Sequence, residues 1–309
     1  MEAAVELIDA HKSYGSVEAL KGVDIAVQPG ELVAMLGPNG AGKTTAISLM
    51  LGIRRPTSGR ARLFGMDPTE RRARSRCGVM LQESGVNGAL HVRELVDLFR
   101  AYYPDPMPAE RAIALAGLEE QARVPASKLS GGQRQRLYYA LAVCGDPDVL
   151  FLDEPTVGMD VESRRTFLDS IKEFAATGKT TMLTTHYLDE ADELARRIVV
   201  VDRGVVIADG APAQIKSRVA GKRVTFDSDA ALSEADFRGM PYKHLEVREG
   251  HVRLLSDEPE AILGALFRRG LGIRNLEVTG ADLEEAFLAL TSHHAAGDRE
   301  STVEQGVAG

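Results

Sequence analysis

Cysteine is scarce in this chain: Cys77 and Cys144 are the two among 309 residues. Two thiols make neither a disulfide framework nor a metal cluster, and small buried thiols are the expected reading. Long apolar runs are missing as well. None approaches the ~18 residues that a membrane span requires; Val149 to Leu152 and Ile198 to Val201 are strand-sized. The start, Met1-Glu2-Ala3-Ala4-Val5-Glu6, is acidic and lacks the basic head and apolar centre of a signal peptide, so a cytosolic chain is expected. Basic excess is lacking too, and a formal net charge of −8 argues against a nucleic-acid partner. What remains is an ordinary globular composition, 44% hydrophobic and 27% charged. The length suits about two domains of roughly 150 residues.

What is present centres on Gly37-Pro38-Asn39-Gly40-Ala41-Gly42-Lys43-Thr44-Thr45, which fits the phosphate-loop pattern G-x-x-x-x-G-K-[ST]. Glu31 to Leu36 before it reads as a short apolar strand, and Ala46 to Leu51 after it as the start of an amphipathic helix. Glycines let the backbone wrap a phosphate, and successive N–H groups with the positive helix end face the anion. Lys43 is placed to reach β- and γ-phosphates, and the Thr44 hydroxyl to hold Mg²⁺. The pattern alone arises by chance in about one chain in a hundred of this length. Gly178-Lys179-Thr180-Thr181 repeats its last four residues, but Glu173 stands where the first glycine belongs and Lys179 to Thr184 reads as a strand.

Upstream, Val5 to Asp9 and Ala19 to Val27 read as strands around Lys12-Ser13-Tyr14-Gly15; Tyr14 is a turn aromatic or a platform for a base. Downstream, Arg60 to Phe64 and Cys77 to Leu81 are expected strands, the second ending at Gln82. His91 to Tyr103 is an expected helix with Leu95, Leu98, Phe99 and Tyr102 on one face, and Ala109 to Gly117 another. Leu129-Ser130-Gly131-Gly132-Gln133 then runs into a helix to Cys144. Two glycines there cost stability without structural return, unless this helix start also cradles phosphate. Val149 to Glu154 reads as a buried strand ending in two carboxylates, at the sheet edge where α/β proteins bind ligands. Asp160 precedes a helix from Val161 to Ala175, and His186 lies just past the strand Thr180 to Thr184. Strand and helix alternate from about residue 30 to 200, which implies a parallel sheet covered by helices. Ile198 to Asp202 and Val205 to Ala208 close it as a hairpin.

Taken in order, Tyr14, Gly37 to Thr45, Gln82, Leu129 to Gln133, Val149 to Glu154, Asp160 and His186 resemble the ATP-binding subunit of an ABC transporter. The resemblance spans residues 1–220, and the signature Leu129 to Gln133 is its most specific part. It implies a P-loop ATPase with a RecA-like parallel core and a helical subdomain. It further implies that Tyr14 stacks on adenine and that Lys43, Thr44 and Thr45 take the phosphates. Thr44, Gln82 and Asp153 would arrange Mg²⁺, Glu154 would be the general base, and His186 would contact the γ-phosphate. Ser130, Gly131 and Gly132 would cap the γ-phosphate of ATP held by a second copy, in a head-to-tail dimer. A separate membrane permease would complete the transporter, with this chain on the cytoplasmic face. Met159 departs mildly from the leucine usual in the family.

Residues 221–291 read as a small α+β domain: strands at Gly221 to Asp227 and Ile273 to Val278, a hairpin across Glu249-Gly250, and helices at Glu260 to Arg269 and Asp282 to Leu290. Leu283 to Thr291 resembles the extension of bacterial drug- and sodium-export ATPases of the daunorubicin-resistance type. Residues 292–309 are small and polar and are expected to be disordered. His293-His294 is no metal site by spacing, since adjacent residues do not share a helix face. The basic residues Arg54, Arg55, Arg71, Arg72, Arg74 and Arg76 read as a solvated face, or as a contact with a membrane surface or partner loop. Among ABC-type rivals, DNA-organising heads carry a long coiled coil, and Thr45 to Leu129 shows no sustained heptads. Translation factors join two ATPase domains, and this chain has one phosphate loop and one signature. The alternative that stays open is a non-transport ATPase of this type in a soluble assembly.

Overall fold

The computed structural model describes residues 2–82, 85–217, 221–230, 232–248, 250–280, 282–288 and 290–291. The chain forms two compact units, Met1–Ala211 and Pro212–Gly309. The tail read as disordered, with His293-His294, lies outside the described residues.

The first unit begins with β1 (Val5–Tyr14), β2 (Val17–Val27) and β3 (Leu32–Leu36), which leads into α1 (Lys43–Met50). There follow β4 (Ser58–Leu63), α2 (Arg71–Arg74), β5 (Cys77–Met80), α3 (Val92–Arg100), α4 (Ala109–Leu115), α5 (Gly131–Val143) and β6 (Val149–Asp153). α6 (Val161–Ala176), β7 (Thr180–Thr185), α7 (Leu188–Leu194), β8 (Arg197–Asp202) and β9 (Val205–Gly210) complete it. One sheet has the order β5-β6-β7-β3-β8-β9. It is parallel from β5 to β8, and β9 returns antiparallel to β8 as the expected hairpin. Every residue of β3, β6 and β7 is buried, as strands covered on both faces must be.

Ser58–Leu63 corrects one expectation. It lies inside the stretch read as alternating strand and helix, yet it pairs antiparallel with β1 in a second sheet, β2-β1-β4. Its first three residues are exposed, unlike a strand of the parallel core. α1 packs between the two sheets: Ile47, Leu49 and Met50 share a core with Val5, Leu7 and Ile25 of the antiparallel sheet and with Met35, Phe151 and Val199 of the parallel one. Each such side chain contributes about 1.5–3 kcal/mol by leaving water. The phosphate-loop helix is thereby clamped on two sides.

The helices α3, α4 and α5 pack together between β5 and β6 in sequence, as the helical subdomain. The face of α3 is a second correction. Val92, Leu95 and Val96 are buried, whereas Leu98 and Tyr102 are exposed. Two apolar stripes fit the helical period here, and packing against α4 and α5 selects one. The helix ends at Arg100, and Tyr103 turns inward to donate its hydroxyl to Cys77 O at 3.1 Å.

The second unit holds α8 (Pro212–Ser217), β10 (Lys222–Ser228), β11 (His244–Arg248), β12 (His251–Ser256), α9 (Pro259–Arg268) and β13 (Ile273–Gly280). Its antiparallel sheet runs β11-β12-β10-β13. Val224, Phe226, Val252 and Leu254 pack on Ile262 and Leu266 of α9. Residues 283–288 are helical, with Leu283 and Ala286 buried. Arg253 anchors this segment through Asp282 at 3.0 Å and Glu284 at 3.3 Å. No helix among the described residues is long and apolar enough to cross a membrane.

Both cysteines are buried, and burial pushes each thiol up to about 12. The nucleophilic thiolate is therefore nearly absent at pH 8. A maleimide at pH 8 should label neither cysteine in the folded protein and both in guanidinium, as counted by intact-mass spectrometry. Prompt labelling of the folded chain would contradict this packing.

Candidate functional site

The parallel strands β5, β6, β7 and β3 are neighbours, so the residues at their carboxyl ends share one edge of the sheet. Gln82 follows β5, Asp153 ends β6 and Glu154 follows it, His186 follows β7, and Gly37 follows β3. The topology thus gathers the predicted phosphate loop with four predicted polar residues that are far apart in sequence.

Within the loop, Gly37 is required by space, since a Cβ there would fall 2.3 Å from Val201 O. Gly42 is required by conformation as well: its φ is 110° and a Cβ would meet Ala19 O at 2.7 Å. It stands at the cap position of α1 with no side-chain cap, so the first amides of the helix are left for an external acceptor. Lys43, on the first turn, is 5% exposed. Its ammonium donates to Gly37 O at 2.7 Å and Pro38 O at 3.2 Å and lies 3.7 Å from Glu154 Oε1. Burial pulls its pKa below the usual lysine range, against Glu154 and Asp153, which hold it up.

The two carboxylates are set by Thr184 on the neighbouring strand. Its hydroxyl donates to Asp153 Oδ1 at 2.5 Å and accepts from the Glu154 amide at 3.0 Å. Thr44 Oγ1 approaches the same Asp153 oxygen at 3.5 Å. Asp153 Oδ2 is buried and has no hydrogen-bond partner among the described residues. Glu154 adopts φ 50°, a left-handed conformation costing a non-glycine residue about 1–3 kcal/mol. That turn brings its carboxylate to Gln82 Nε2 at 3.4 Å and His186 Nδ1 at 3.4 Å, as well as to Lys43. The result is one acceptor-rich group ringed by an ammonium, an amide and an imidazole.

Other predicted residues lie apart from this cluster. Tyr14 ends β1 with its ring partly exposed; Lys12 Nζ lies 5.3 Å and Arg54 Cζ 5.2 Å from its centroid. Ser130 caps α5: its Oγ accepts from Gln133 N at 3.2 Å, while Gln133 Oε1 accepts from Ser130 N at 3.0 Å. Asp160 caps α6 by accepting from Ser163 N at 2.8 Å, which lowers its pKa. Among the described residues, no hydrogen bond or ion pair joins Ser130 to Gln133 with the Gly37 to Thr45 loop of the same chain.

The family model for ABC transporter matches residues 20–157. The daunorubicin/doxorubicin resistance ATP-binding protein of Streptomyces peucetius is 37% identical over 317 residues, covering 97% of this chain and 96% of that protein. The chain belongs to the ABC transporter ATP-binding family. The Nod factor export ATP-binding protein I of Cupriavidus metallidurans is 36% identical over 299 residues, covering 94% of this chain and 98% of that protein. A dimeric bacterial ABC transporter cassette matches with a TM-score of 0.62 at 25% identity, over 67% of this chain and 98% of its own. A dimeric cassette in a post-hydrolysis state bound to ADP and Pi matches at 0.61 and 26%, over the same shares. This ABC subunit is accordingly an ATPase, with the expected parallel core and helical subdomain.

Thr184 is the residue of this ABC site that motif reading passes over. A signal for it exists: Thr180, Thr181, Thr184 and Thr185 place four hydroxyls in one wholly buried strand, and buried hydroxyls need partners. Lys43 is the sharper test of the cluster. Lys43→Ala removes the cation beside Glu154 and should abolish ATP hydrolysis while the far-UV circular dichroism stays unchanged. Wild-type turnover in that variant would remove the loop from the site.

Proposed function

We propose that this chain is the ATP-hydrolysing subunit of an exporter. It acts peripherally at the cytoplasmic face of the membrane beside a separate permease, and two copies close head-to-tail over two ATP molecules. One observation carries the two-copy reading. Gly131 and Gly132 open α5 without positive φ, and a Cβ at either would meet nothing nearer than 3.8 Å. The chain's own packing therefore does not ask for glycine there, although alanine suits a helix better by up to about 1 kcal/mol. A demand from outside the chain supports these residues, and the γ-phosphate of ATP on a second copy meets that demand. Export is supported by the relatives named for Nod factor export and drug resistance.

On this reading the Gly37 to Gly42 loop, Lys43, Thr44 and Thr45 hold the phosphates, and Tyr14 stacks on adenine. Glu154 takes the proton of the water that attacks the γ-phosphate, while Gln82 and His186 orient that water and phosphate. Catalysis is positioning and charge neutralisation, as phosphoryl transfer requires. Ser130 to Gln133 and Asp160 complete the site across the pair. The donors fit Mg²⁺: Asp153 keeps a buried oxygen without a partner among the described residues, beside the Thr44 hydroxyl, and this hard ion takes oxygen ligands with few carboxylates. Thr44, Asp153 and Gln82 would hold it, in part through water. Once bound, Mg²⁺ neutralises charge on the β- and γ-phosphates. The first unit holds every one of these residues, and we assign the second to subunit pairing or regulation. A chain ending at Ala211 should still bind ATP, as read by a fluorescent analogue; a folded truncation that binds none would overturn that division.

The pair itself is tested through Glu154 and Ser130. Glu154→Gln keeps the shape but removes the base, and loss of a general base slows a reaction ~10²–10⁴-fold. With Mg²⁺ and ATP that variant should shift from monomer to dimer on a sizing column. Ser130→Arg puts bulk where the partner's phosphate docks, so the double variant should bind ATP and stay monomeric. If single and double variants elute alike while both bind ATP, the head-to-tail reading falls.

A further inference from the structure

Behind His186 a group of polar side chains meets in the interior. Glu190 of α7 is 2% exposed, and its Oε2 accepts from Thr185 Oγ1 at 2.9 Å. That hydroxyl in turn accepts from the Tyr187 amide at 2.9 Å, so one carboxylate braces both neighbours of His186. Arg164 of α6 approaches Glu190 Oε1 with its Nε at 3.7 Å and lies 4.4 Å from the centre of the Tyr187 ring. The Tyr187 ring packs on the His186 imidazole with 4.2 Å between centroids. Thr156, buried in the segment between Glu154 and Asp160, also borders the Glu190 carboxylate. Yet Glu190 Oε1, Arg164 Nε and Thr156 Oγ1 have no hydrogen-bond partner among the described residues.

Such an arrangement is poor as a stabiliser. Burying a carboxylate with one oxygen lacking a hydrogen-bond partner among the described residues and an ion pair at 3.7 Å is costly, and apolar side chains of similar volume often replace such a pair without loss. Its return is geometric: Glu190 touches the segment before His186, and Arg164 stacks on the ring that flanks it.

We propose that Glu190 is a positioning residue for nucleotide sensing: bonded to Thr185 and paired with Arg164, it fixes the Thr185 to Tyr187 turn so that the imidazole of His186 meets a γ-phosphate. The inference rests on the assignment of His186 to the γ-phosphate made above. Its consequence is selective. Without the brace the phosphate loop is intact, so a nucleoside diphosphate binds as before, while a triphosphate loses one contact.

The experiment measures dissociation constants for AMP-PNP and ADP, both with Mg²⁺, by calorimetry on the full chain. Glu190→Ala should weaken AMP-PNP by about tenfold, the scale of one charge-assisted hydrogen bond, and leave ADP within about twofold. Glu190→Gln keeps an oxygen acceptor for Thr185 and should restore most of the preference. If Glu190→Ala does not fold, Thr185→Val cuts the same link and should show the same selective loss. His186→Ala is the reference: it should lose the preference outright. Equal weakening of both nucleotides, or an unchanged preference in a folded variant while His186→Ala loses it, overturns the proposal. An unchanged preference in His186→Ala instead overturns the assignment of His186, and the inference with it.

Discussion

The hydroxyl of Thr184 spans the gap between two parallel strands and holds both acids of the site. It donates to Asp153 and accepts from the amide of Glu154, so its single oxygen fixes one carboxylate by its side chain and the other by its backbone. This works because β6 and β7 are in register with Asp153 opposite Thr184. A slip of one residue would turn every side chain of either strand to the other face. Both faces of β6 and β7 are buried, so that slip would exchange side chains between two packed interiors and part Asp153 from Thr184. Hydrophobic packing two or three residues away thereby sets the geometry of a polar site.

The same constraint explains the strained backbone. Glu154 would relax by leaving φ 50°, but its amide is held twice by Thr184, once at the carbonyl and once at the hydroxyl. Strain of about 1–3 kcal/mol persists where the surroundings over-determine it. What the strain achieves is direction: the strand would otherwise carry Glu154 away from Lys43, Gln82 and His186. Lys43 is bound into the arrangement from the other side. Its burial disfavours the charge, and the Gly37 and Pro38 carbonyls with Glu154 compensate. An ammonium already desolvated and aimed needs little reorganisation to face a phosphate.

Much of this was legible in the residues, for reasons that differ by element. Gly37 and Gly42 sit where a side chain has no room, and Val149 to Leu152 has no polar residue because both faces of the sheet are covered. Patterns forced by sterics and burial can be read without partners. Thr184 and Glu190 escaped because threonine is an ordinary strand former and glutamate an ordinary helix former, so neither looks misplaced until its burial is seen. Ser58–Leu63 misled because sequence order says nothing of which sheet a strand joins. Leu98 and Tyr102 misled because α3 carries two apolar stripes, and only the neighbouring helices decide between them.

Helix capping differs between two helix starts in the first unit. α1 has no side-chain cap, so the amides of its first turn are left for an external acceptor. α5 differs: Ser130 and Gln133 cap each other, and the Gln133 amide is spent on the Ser130 hydroxyl. Gly131 and Gly132 donate to no acceptor among the described residues, and Gly131 is exposed. A helix end that is half capped is rigid yet still carries a positive dipole end and two amides to offer. On the proposed head-to-tail pairing, rigidity matters more there than at α1, because a surface that meets a second molecule must hold its shape before contact if ordering is not to consume the affinity gained. The reciprocal cap of Ser130 and Gln133 supplies that shape, and the glycines between them keep the approach open.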